Sequence, residues 1–129
     1  MKSSLSLKKA IKLHKELCLR LGIPATKIKI GKQKPNNKRA YATYRIRSRT
    51  IVLWEASILK DGKDWREAVA HETYHHYQLV KGWLKWQTWK GKPRSSFPGY
   101  RSTPWERGAF RFARKMREIN FNPLENKKI

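Results

Sequence analysis

AVAHETYHHYQ, residues 68–78, packs three histidines and a glutamate into positions 71–76 of a chain that has four histidines in all. The conformation of this stretch decides what those side chains can do. A helical segment is expected over about residues 64–81, following Asp61-Gly62 and closed by Gly82. On such a helix, His71 and His75 lie about 40° apart, one turn above the other. Their imidazoles can then close on a single metal ion. Glu72 sits beside that face, placed to touch a water at the ion and not the ion itself. His76 points about 140° from His71, toward Trp65, Val69 and Val80, and reads as a core histidine. The stripe that carries the two ligands also carries the small Ala68.

Two histidines rarely hold a catalytic zinc alone, because three protein ligands plus a water is the usual shell. Glu106 is the natural third. It opens the last long helix, TPWERGAFRFARKMREI (residues 103–119), and the small Gly108 and Ala109 follow it, which would let that helix come close. A competing local use exists. Thr103 is a good N-cap, Pro104 fits the first turn, and a glutamate three residues after the cap completes a capping box. On local grounds the two uses balance; the need for a third ligand favours coordination. Two imidazoles and one carboxylate suit zinc.

The rest of the chain supplies a frame. Leu7 to Leu21 repeats apolar residues at helical spacing and stops at Gly22. Thr26–Gly31, Tyr41–Arg47 and Thr50–Glu55 read as strands, the last two as a hairpin. The expected fold is α+β: an N-terminal helix, a small three-stranded antiparallel sheet, the histidine helix and the C-terminal glutamate helix. KGWLKWQTWK spaces Trp83, Trp86 and Trp89 three apart, which suggests a helix face on the core or, failing that, a stacking rim. The 129 residues are expected to form one domain, 1–129, with 120–129 a regulatory or disordered tail. Lysines interrupt the N-terminal leucines and no apolar run spans a bilayer, so a cytoplasmic protein is expected. Cys18 is the only cysteine, which excludes disulfides and thiolate-rich zinc sites. The net charge of +22 attracts polyanions.

HETYH at 71–75 and PWERGA at 104–109 together resemble the gluzincins, and more narrowly the minigluzincins, minimal soluble zinc metallopeptidases. The resemblance covers most of the chain in element order. It implies a zincin-like fold, zinc held by His71, His75 and Glu106, Glu72 as general base, and a peptide or protein substrate. It also implies that TIVLWE is the edge strand that pairs with extended substrate. The tetrahedral oxyanion needs a donor besides zinc, and Tyr100 is the candidate. Several members of the family place an aspartate where Phe110 stands here, so another group must orient the ligand histidine. Zymogen-like behaviour is a further implication, with the tail covering the cleft within the chain or through self-association. The alternative class is a basic nucleic-acid-binding protein with a structural or degenerate metal site, or a protease acting on DNA-bound proteins.

Overall fold

The computed structural model describes residues 5–32 and 40–122. Helix α1 (Leu7–Leu21) starts at Ser6, whose hydroxyl accepts from the Lys9 amide, and ends at Gly22 with φ 73°. Three strands follow, β1 (Lys27–Gly31), β2 (Ala42–Arg45) and β3 (Thr50–Trp54), then the short helix α2 (Glu55–Asp61). Helix α3 (Trp65–Val80) is N-capped by Asp64, whose carboxylate accepts from the Arg66 amide. A small hairpin, β4 (Thr88–Trp89) and β5 (Lys92–Pro93), leads through a 3₁₀ turn at Arg94–Ser96 to helix α4 (Pro104–Glu118). Among the described residues, no helix is long and apolar enough to cross a membrane.

The α+β class and the β2–β3 hairpin are as expected, but the sheet is mixed, not antiparallel. Its order is β1-β3-β2. β1 lies parallel to β3, from Lys27 opposite Thr50 to Gly31 opposite Trp54, while β2 is antiparallel to β3. The reason is topological: β1 and β3 run the same way because β2 reverses between them, and placing β3 in the middle makes its pairing with β1 parallel. Alternation along a strand reports its buried face and says nothing about its neighbour. All five residues of β3 are buried, the pattern of a central strand. TIVLWE is therefore not an edge; β1 and β2 are.

Helix α3 is the hub, packing on α1, α4, β2 and β3. Leu13, Leu17, Ile51, Leu53, Val69 and Met116 fill the main core. Val80, expected on the apolar face, is 40% exposed at the helix end. The tryptophan segment is not helical. Gly82 adopts φ 83° and turns the chain out of α3, so spacing by three no longer puts the indoles on one face. Trp89 joins Leu84 and Trp105 in a second small core, whereas Trp86 stands exposed. Of the expected tail, residues 123–129 lie outside the described residues. Phe121 is buried in the main core under the Arg66 guanidinium.

Behind α3 lies a buried histidine pair. His76 Nε2 donates to the Pro24 carbonyl at 3.0 Å and its Nδ1 accepts from the Tyr44 hydroxyl at 2.8 Å. This is the core histidine that the helix wheel indicates. His14 Nε2 accepts from the Thr26 amide at 3.0 Å, so Nδ1 carries the proton and donates to Thr73 Oγ1 at 2.8 Å. Burial, helped by the neighbouring His76, lowers the His14 pKa to about 4. The unfolded chain thus binds a proton here that the folded chain refuses. The stabilisation is complete above the ordinary histidine value and is lost as pH falls from 6.5 toward 4. Urea unfolding over that window should show a loss of about 3 kcal/mol from this group, and His14→Gln should flatten the slope. An unchanged slope would remove His14 from the acid response.

Candidate metal centre

Helix α3 carries His71 and His75 one turn apart, and their rings meet edge to face with centroids 5.0 Å apart. Glu106, in the first turn of α4, reaches across to both. Its Oε1 lies 3.0 Å from His71 Nε2 and its Oε2 lies 3.4 Å from His75 Nε2. The capping box does not form: Thr103 makes no side-chain cap bond, and its hydroxyl donates to the Tyr100 carbonyl at 2.9 Å. The two helices approach closely at Gly108. A Cβ there would stand 3.1 Å from the Tyr74 ring and 3.2 Å from Gln78 Nε2.

One ligand atom from each of His71, His75 and Glu106 falls within 4.8 Å of the others, a group that could hold a metal ion. Neighbouring ligands of a tetrahedral ion with bonds of ~2.0–2.1 Å stand about 3.4 Å apart. The Glu106 contacts of 3.0 and 3.4 Å, made by its two different oxygens, lie near that spacing, and ligand atoms within 4.8 Å of one another would draw together around an ion. His75 and Glu106 are buried and His71 is half-buried. Burial alone would raise the Glu106 pKa, but the hydrogen bonds from His71 and His75 outweigh it and hold the carboxyl at about 2. Burial likewise opposes a charge on His75, yet Glu106 and Glu72 together lift its pKa above the ordinary value.

Sequence reasoning missed Gln78. Its Oε1 accepts from His75 Nδ1 at 3.0 Å, while its amide nitrogen donates to the Trp105 carbonyl at 3.0 Å. The second bond fixes which way the amide faces. The first leaves His75 Nε2 directed at the site. Gln78 thus orients His75, and the Phe110 ring packs edge-on against the other histidine, His71, with centroids 4.5 Å apart. The only signal in the sequence is its position three residues after His75, a neighbour on the same helix face. If this group holds a divalent metal, Gln78→Leu should weaken its binding ~10–100-fold while leaving the helical circular dichroism intact, as measured by competition with a chromophoric chelator. Undiminished affinity would mean the orientation comes from packing alone.

Glu72 is not among the ligand atoms. It is buried, and burial, with Glu106 adding, raises its pKa; His71, His75 and the Tyr44 backbone amide pull the other way. It lines two cavities. One, of about 230 Å³, lies on the His75 side, bounded by Leu84, Arg94 and Trp105. The other, of about 460 Å³, lies on the His71 side, bounded by Lys63, Ala68 and Phe110. Ala42 of β2 and Tyr100 line both. Tyr100 is 69% exposed, and partial desolvation followed by the charges of Glu106 and Glu72 raises its pKa. The structure brings His71, His75 and Glu106 together as a group that could hold an ion, and Glu72 and Tyr100 line the two cavities beside it. No family model, curated protein or solved structure matches the chain.

Proposed function

We propose that this chain is a zinc-dependent endopeptidase with a minimal zincin-like scaffold. The observation that carries the reading is the behaviour of Glu106: it ignores its own helix end and joins both histidines of α3, beside a buried carboxyl that opens onto two cavities. Zinc held by His71, His75 and Glu106 would supply Lewis acidity at a scissile carbonyl and make water a nucleophile near neutral pH.

The chain's own residues supply the rest. Glu72 takes the proton of the attacking water and delivers it to the leaving amine; a desolvated carboxylate is the stronger base for it. Tyr100, which lines both cavities with Glu72, is the candidate donor to the developing oxyanion. Strand β2 offers its outer edge to the substrate. The Tyr44 amide faces Glu72 and the Tyr41 carbonyl accepts from Trp54 of β3. Backbone groups alternate sides along an antiparallel strand, so Ala42 presents its own groups outward, over the cavities. Hydrolysis of an unstructured protein by the zinc-loaded chain, slowed ~10²–10⁴-fold by Glu72→Gln, is the test. A chain that binds zinc and cleaves no peptide bond would end this reading.

A further inference from the structure

The cavity on the His75 side contains a cation that the hydrolytic chemistry does not use. Arg94 opens the 3₁₀ turn after β5 and lines this cavity together with Glu72, His75 and Glu106. Its Nη1 donates to the Trp86 carbonyl at 3.0 Å, and its guanidinium lies over the Trp105 ring at 4.8 Å. Those two contacts fix the plane of the fork. Its Nε is shut off from solvent, and so from the cavity, which leaves the Nη edge of the guanidinium as the part that can meet a ligand there. Burial pulls the Arg94 pKa down and the charge of Glu106 pulls it back, which places the guanidinium within electrostatic reach of the ligand carboxylate.

We propose that this cavity is a carboxylate-recognition subsite and that Arg94 sets the substrate preference there; the inference rests on the hydrolase reading. An immobilised guanidinium edge matches a carboxylate, which can accept two parallel N–H bonds. Leu84 and Trp105 give the same cavity apolar walls for the carbon stem that bears the acid. At about 230 Å³ it takes one residue, not a longer segment. The net charge of +22 draws anionic chains toward the site; Arg94 selects among those that arrive. The carboxylate has two sources, an aspartate or glutamate beside the scissile bond or the free C-terminus of a peptide.

Binding and cleavage separate the claims. Labelled peptides differing only in Glu against Gln, or in C-terminal acid against amide, are titrated onto the zinc-loaded Glu72→Gln chain. Work in ~0.5 M salt screens the general surface field. One pair should show a ~10–100-fold preference for the acid, and which pair shows it identifies the source. Arg94→Gln should bring that ratio near one without changing the neutral peptide, whereas a merely structural arginine would weaken every peptide alike. Should Arg94→Gln fail to fold, Arg94→Lys, which keeps the charge without the fork, should retain only part of the preference. Equal binding of acid and neutral peptides, or a preference that survives Arg94→Gln, overturns the subsite. Cleavage of the same peptides by the parent chain is scored separately. Neutral peptides cleaved without any acid preference would sink the subsite alone; acid-selective binding without cleavage would sink the hydrolase reading and leave the subsite standing.

Discussion

On the hydrolase reading, zinc-loaded Glu72→Gln is expected to hydrolyse peptides ~10²–10⁴-fold more slowly than the parent chain while holding the same amount of metal. Glutamine has the shape of glutamate and can still accept from the Tyr44 amide that faces position 72. What it loses is the ability to take a proton. Metal content should not change, because the group that could hold an ion is His71, His75 and Glu106 and does not include Glu72. Stability should not fall either. Glu72 is 8% exposed, and neutralising a desolvated carboxyl relieves the cost of burying its charge. The melting temperature is therefore expected to stay level or rise. Loss of turnover with zinc and fold retained assigns the proton-transfer step to this carboxyl. Parent-like turnover would remove Glu72 from the mechanism.

What could be read before folding follows a simple physical division. The relation between His71 and His75 is local, set by the helical angle alone, and it transfers directly into space. The direction of His76 was legible for the same reason. Glu106 was not settled that way. Its two uses, capping Thr103 or reaching α3, differ in local geometry by little; the decision comes from the close approach of α4 at Gly108, a contact between residues thirty or more positions apart. The parallel pairing of β1 with β3 has the same origin, since strand order is a long-range choice that alternation does not encode.

Gln78 and Arg94 were invisible for a different reason. A single polar residue on a mostly polar helix, or an arginine in a chain with 31 basic residues, carries no local mark. Each acquires its role from burial: Gln78 is 1% exposed between His75 and the Trp105 carbonyl, and Arg94 is trapped against Trp105. The tryptophan segment erred in the opposite direction. Its spacing by three suggested a helix, but Gly82 in the left-handed region ends α3 first and hands Trp89 to a separate core.

Glu106→Ala carries the second large effect. Loss of a direct ligand should weaken zinc binding by more than the ~10–100-fold attached to an orienting neighbour. It should also remove zinc-dependent stabilisation, which for the parent amounts to about 2.7 kcal/mol when free zinc is a hundred times its Kd. The control is Thr103→Ala. In a capping box both substitutions would fray α4 and neither would touch metal affinity. Here Thr103 makes no cap bond through its side chain and Glu106 faces α3. Thr103→Ala should therefore leave zinc affinity unchanged, and Glu106→Ala should leave the helix content of the metal-free chain unchanged. Zinc binding by Glu106→Ala with parent affinity would show that the carboxylate pairs with two histidines for reasons of charge alone. The ligand set would then have to be sought elsewhere, and the hydrolytic reading would lose the geometry on which it stands.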